Sequence, residues 1–155
     1  MTWPVAFNPD DFSLSTERVA KLDGQRQLAT VREIVGRLAA QPGLVLADEV
    51  GMGKTFVALA IAVTAALSDK GGRPVVVMVP PTLRDKWPRD WEVFRELCLR
   101  QGAHKALRVE RALSGLDFFK LLGRKKFDIR RHPCIKSPCI HQKLAIGIFM
   151  KNIVF

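Results

Sequence analysis

The chain has 155 residues, length for a single core, and its 48% hydrophobic content belongs to a globular chain rather than a disordered one. Its formal net charge of +10 is unevenly placed: residues 121–155 hold eight Lys/Arg against the lone acid Asp128, while residues 1–120 hold 17 against 14, so whole-chain charge is no argument for nucleic-acid binding. The three cysteines (Cys98, Cys134, Cys139) and a start with no basic-then-apolar leader indicate neither a disulfide framework nor a signal peptide, and a cytoplasmic setting is expected.

Residues 1–19, with two prolines and scattered aromatics (Trp3, Phe7, Phe12), read as an irregular lead-in. From Asp23, a fair N-cap, Leu28, Val31, Ile34, Val35 and Leu38 recur at three- and four-residue steps and predict a helix that ends at Pro42-Gly43. The apolar run Leu44-Val45-Leu46-Ala47 reads as a buried strand, and Lys54 to Leu67 as a buried helix. Pro74 to Val79 is a β-branched run expected to be a second strand covered on both faces. Two such strands joined by a helix make a right-handed βαβ unit with a parallel pair. Pro80-Pro81-Thr82 ends that strand, and Leu83 to Leu99 is expected to be helical after a break at Pro88, with Trp87, Trp91, Phe94 and Leu97-Cys98 on its apolar side. A weak strand near Leu107-Arg108-Val109 and a short helix from Leu113 to Leu122 follow.

The junction of the first strand and second helix carries the chemistry. Asp48-Glu49-Val50-Gly51-Met52-Gly53-Lys54-Thr55 is a glycine-rich turn between strand and helix, the context of a phosphate-binding loop. Gly51 and Gly53 allow positive φ and close approach of a ligand. The amides that open the helix then converge on one point, where the helix dipole also favours an anion. Lys54 is placed to reach the outer phosphates of a nucleoside triphosphate, and the Thr55 hydroxyl to ligate Mg²⁺. The strict pattern asks for glycine where Asp48 stands, which argues against ordinary kinases and GTPases of this class.

Four segments in order resemble the first RecA-like lobe of superfamily-two helicases, specifically the Swi/Snf-like DNA translocases. Leu22 to Val31 resembles the segment with that family's adenine-reading glutamine, which aligns with Gln27 and, as a second choice, Gln25. An amide with one acceptor and a donor pair can match the adenine N6/N7 edge. Asp48 to Thr55 resembles the family's phosphate loop, whose usual form begins Asp-Glu, so the resemblance accounts for the missing first glycine. Val76 to Leu83 resembles the next motif, which implies DNA-backbone contact at Pro81 and Thr82, and Trp87-Pro88-Arg89-Asp90-Trp91 continues it. The resemblance therefore implies an α/β fold: a partial RecA-like lobe with a parallel sheet over residues 20–123. It also implies ATP and Mg²⁺ as cofactors, a nucleotide site of Gln27, Asp48, Glu49, Gly51, Met52, Gly53, Lys54 and Thr55, and double-stranded DNA as partner.

The family's acidic Walker B run does not occur after Thr55; Glu110, Asp117 and Asp128 are isolated. Binding without hydrolysis by this chain alone is the expectation, as for a truncated or frameshifted relative. Residues 124–155 read as a poorly structured basic tail outside that fold. Its apolar end from Leu144 is interrupted by Lys151-Asn152 and falls short of the about 20 residues that span a bilayer, so no membrane partner is expected. His132, Cys134, Cys139 and His141 are zinc-ligand types at poor spacing, and a solvated tail is the alternative. The competing function is a non-enzymatic basic module that binds nucleic acid or zinc and carries a relic nucleotide lobe.

Overall fold

A computed structural model describes residues 7–17, 19–47, 49, 51–69, 74–100, 107, 109–112, 114–123, 147–150 and 153–154. The elements are α1 (Lys21–Leu38), α2 (Lys54–Ser68), β1 (Val75–Met78), α3 (Lys86–Leu97), β2 (Val109–Ala112), α4 (Gly115–Gly123), β3 (Gly147–Met150) and β4 (Ile153–Val154), with 3₁₀ turns at Pro9–Asp11 and Pro81–Leu83.

The core is built on α2. Its sequence is apolar all round, as a helix enclosed on every side must be, and Val57, Leu59, Ala60, Ala62, Val63 and Ala66 are buried. Thr64, also buried, donates its hydroxyl to the Ala60 carbonyl at 2.8 Å, so the one polar group in this stretch costs little. One flank of α2 is covered by α1 through Val31 and Val35, the other by α3 through Trp91 and Phe94. Phe94 packs edge-on against Phe56 with centroids 5.7 Å apart and stacks on Trp91 at 6.0 Å.

Helix α1 starts three residues earlier than its capping signal suggests. Ala20 is the N-cap and makes no side-chain cap bond, while Asp23 lies inside the first turn, where the helix dipole favours its charge. The buried face of α1 runs Gly24, Gln27, Val31, Val35, so it includes two residues outside the apolar stripe. Gly24 is there because the lead-in crosses it: a β-carbon would stand 2.4 Å from Ser15 Oγ and 2.7 Å from the Ser15 Cα and N. Pro88 does not interrupt α3. It is the third residue of that helix, within the first turn, where its missing N–H has no intrahelical acceptor to lose.

The lead-in belongs to the core. Phe12 and Leu14 are each 1% exposed, and Phe12 forms an antiparallel bridge with Leu99. Ser13 N–H donates to the Cys98 carbonyl at 2.8 Å, and Arg100 N–H to that of Asp11 at 3.0 Å. Phe7 packs on Phe12 and receives the Arg32 guanidinium 5.4 Å above its ring.

The strands correct two expectations. Residues 44–47 carry no strand among the described residues, and Val45 is 90% exposed. Strand β1 is covered on one face only, with Val75 and Val77 half-buried, Val76 42% exposed and Met78 76% exposed. The expected parallel pair between these two segments is therefore not among the ladders. A parallel strand holds its place only when a neighbour takes its N–H and C=O groups. The ladders of β1 instead run to β3, antiparallel with Val77 opposite Ile148, and to β4, parallel with Val75 opposite Ile153. Strand β2 pairs with the same two, antiparallel and parallel in turn. Within the basic stretch 124–155 these two strands are described; residues 124–146, including the His132 to His141 cluster, lie outside the described residues, as do Asp48 and Val50.

Candidate functional site

The turn into α2 has the backbone that its glycines permit. Gly51 has φ +90° and Gly53, the N-cap of α2, has φ +77°. At Gly51 a β-carbon would meet nothing within 4 Å, so only the dihedral selects glycine. At Gly53 space matters as well, since a β-carbon would lie 2.3 Å from Gln27 Nε2 and 2.8 Å from its Cδ. The Gly53 carbonyl accepts from Phe56 N–H at 2.9 Å and Val57 N–H at 3.1 Å and so closes the first turn. The amides ahead of these have no carbonyl within the helix to bond, and they lie at the positive end of a 15-residue dipole.

Three side chains converge on this turn. Gln27, from the buried face of α1, is 7% exposed, and its Oε1 has no hydrogen-bond partner among the described residues. Such an orphaned acceptor is expensive in a packed interior and calls for a donor. Lys54 folds back along the loop and donates to the Glu49 carbonyl at 2.6 Å. Arg26, adjacent to Gln27, reaches the tip of the loop, with both terminal guanidinium nitrogens 3.6 Å from Met52 Sδ. Thr55, the second residue of α2, is half-buried, and Glu49 is exposed. Gln25 is also exposed on α1. Sequence reasoning passed over Arg26; its position next to Gln27 was the available signal.

Pro81 and Thr82 lie elsewhere, on the exposed 3₁₀ turn after β1. This turn and the start of α3 are tied to β2 through Asp85. Its carboxylate accepts from Arg111 Nη2 at 2.7 Å and lies 3.4 Å from Arg84 Nε. The hydrogen bond from Arg111 is the main reason that the Asp85 carboxyl is held below its ordinary range. A shallow cleft of about 300 Å³ between α3 and β2, lined by Pro88, Arg89, Trp91, Glu92, Val109 and Arg111, contains neither the nucleotide-site residues nor Pro81 and Thr82, although Pro88, Arg89 and Trp91 belong to the segment that continues the resemblance of Val76 to Leu83.

Of the isolated acids, Asp117 has a local duty. Asp117 and Ser114 cap α4, with Ser114 Oγ 2.8 Å from Asp117 Oδ2 and Asp117 N–H donating back to that hydroxyl at 3.1 Å. Glu110 is half-buried on β2. No group of three or more His, Cys, Asp or Glu that could hold a metal occurs among the described residues. Among the same residues no helix is long and apolar enough to cross a membrane.

The chain matches no known protein-family profile and no solved structure. Over 61 residues, 39% of its length, it is 44% identical to the RNA polymerase-associated protein RapA of Pseudomonas aeruginosa (strain LESB58). The match spans 6% of that protein, so this chain corresponds to a small part of the relative it resembles. The similarity supports a helicase-related origin for the matched stretch.

Proposed function

We propose that the chain binds ATP with Mg²⁺ at the turn 49–55, as part of a Swi/Snf-like, RecA-like lobe whose further partner is double-stranded DNA. The observation that carries this reading is the packing of Gln27 against Gly53: a buried amide with an unused acceptor lies beside the positive end of α2. The adenine N6 amino group is a donor that suits that acceptor, whereas guanine presents an acceptor at the same edge. The converging amides and Lys54 suit the phosphates, and Lys54 must leave the Glu49 carbonyl to reach them. Bound Mg²⁺ would neutralise phosphate charge, with the Thr55 hydroxyl as its ligand from the start of α2. DNA is proposed from the family resemblance of the turn at Pro81 and Thr82, which is exposed.

Calorimetric titration tests the reading. ATP is expected to bind the wild type, and Lys54→Ala to weaken it roughly 10- to 150-fold, the loss of a charge-assisted contact of about 1.5–3 kcal/mol. Equal affinity for the two proteins would refute it. Gln27→Ala is expected to abolish the preference for ATP over GTP and Gln25→Ala to leave it intact; the reverse result would move the base contact by two residues.

A further inference from the structure

We infer that Arg26 is a positioning residue for the loop, holding Met52 from the solvent side of α1 while Gln27 backs Gly53 from the buried side; the inference rests on the nucleotide reading above. Met52 stands between two glycines, each at positive φ. Neither glycine has a side chain by which the loop could be fixed, so Met52 is the handle between two free pivots. Glycine loses more conformational freedom on ordering than any other residue, which makes an untethered Gly-Met-Gly tip costly to hold in one shape.

Arg26 supplies the tether. Nη1 and Nη2 each lie 3.6 Å from Met52 Sδ, a soft, polarisable acceptor that takes both. The guanidinium is itself oriented from within α1, where Asp23 Oδ1 lies 4.0 Å from Nη2 one turn earlier. Consecutive helical residues point about 100° apart, so Arg26 and Gln27 can embrace the loop from two sides of one turn. Arg26 need not touch the nucleotide. By narrowing the shapes of the empty loop, it lowers the ordering cost that a phosphate group meets on binding.

The test uses the full chain and two readouts: amide hydrogen exchange at 51–53 without nucleotide, and ATP affinity by titration. Arg26→Ala is expected to speed exchange in the loop several-fold and to weaken ATP by about 3- to 10-fold. Met52→Ala should do the same, and the double variant should be no worse than either single one, the signature of two residues that act as a unit. Arg37→Ala removes the same charge from the far end of α1, where its partner is Glu33, and should change neither readout. Additive losses, or unaltered loop exchange in Arg26→Ala, would overturn the inference. So would a loss as large as that of Lys54→Ala with Met52→Ala harmless, since that pattern marks Arg26 as a direct phosphate contact. If the wild type binds no ATP, the nucleotide reading fails, and the exchange data still decide whether Arg26 holds the loop.

Discussion

At Gly53 a dihedral constraint and a packing constraint coincide: φ is +77°, and the Gln27 amide occupies the space of a β-carbon. Gly53→Ala therefore meets both the left-handed penalty of about 1–2 kcal/mol and a clash with the buried Gln27 amide, which must move aside. It should lower the melting temperature and weaken ATP together, whereas Lys54→Ala should weaken ATP alone; parallel melting and titration experiments separate the two. Cys98 makes a second prediction at this scale. It is 2% exposed, and burial pushes its thiol from 9.0 up to about 11. The folded thiol thus keeps its proton after the unfolded one has ionised. This contribution to stability is present below pH 9 and lost as pH rises towards 11. Urea midpoints measured between about pH 8 and about pH 10 should fall more steeply for the wild type than for Cys98→Ala. Equal slopes would mean that the thiol is more open to solvent than its burial indicates.

Among the elements, the contact of the lead-in with α1 is also one that a single methyl group can break. Ser15 presents backbone atoms as well as its hydroxyl to Gly24, so Gly24→Ala must displace the chain and not merely rotate a side chain. The gain in helix propensity, about 1 kcal/mol, is offset by overpacking of typically 1–3 kcal/mol. The variant should therefore be neutral to destabilised, whereas Gly36→Ala on the same helix, with nothing within 4 Å, should be stabilised. If both substitutions stabilise, the lead-in does not pack as described. Phe94 tests the other flank of α2. It is 0% exposed between Trp91 and Phe56, and Phe94→Ala should cost about 3–5 kcal/mol in chemical unfolding.

For the whole chain, the question is whether binding leads to hydrolysis. Turnover requires a carboxylate to orient water and a cation for the charge of the transition state, and an arginine supplied in that role is worth ~10³–10⁵ in rate. Among the described acids, Asp117 is engaged in capping α4 and Glu110 belongs to β2. Neither is brought to the loop by any described contact. A phosphate-release assay on the pure chain should show no turnover above background, with or without duplex DNA. DNA-stimulated release that vanishes in Lys54→Ala would refute this.

The residues alone determined the local geometry and the ingredients of the candidate site. Glycines at 51 and 53 require a turn open to positive φ, and the apolar run from Phe56 requires an enclosed helix, because both follow from each residue's own conformational and solvation preferences. Short-range order also set the helical character of 86–97 and 115–123, with shifts of a few residues at their ends. What depends on distant neighbours was decided by the tertiary structure. The run at 44–47 has the composition of a strand, but a strand exists only when another chain segment takes its hydrogen bonds, and the ladders of β1 run to residues more than sixty positions downstream. Phe12 and Leu14 read as part of an irregular segment until the fold lays them on Leu99 and the core. Arg26 acquires its significance in the same way, and Gln27, singled out by resemblance alone, acquires its packing partner. A polar pair on a helix surface is ordinary in sequence, and only the approach of α1 to the start of α2 sets one amide against Gly53 and one guanidinium against Met52.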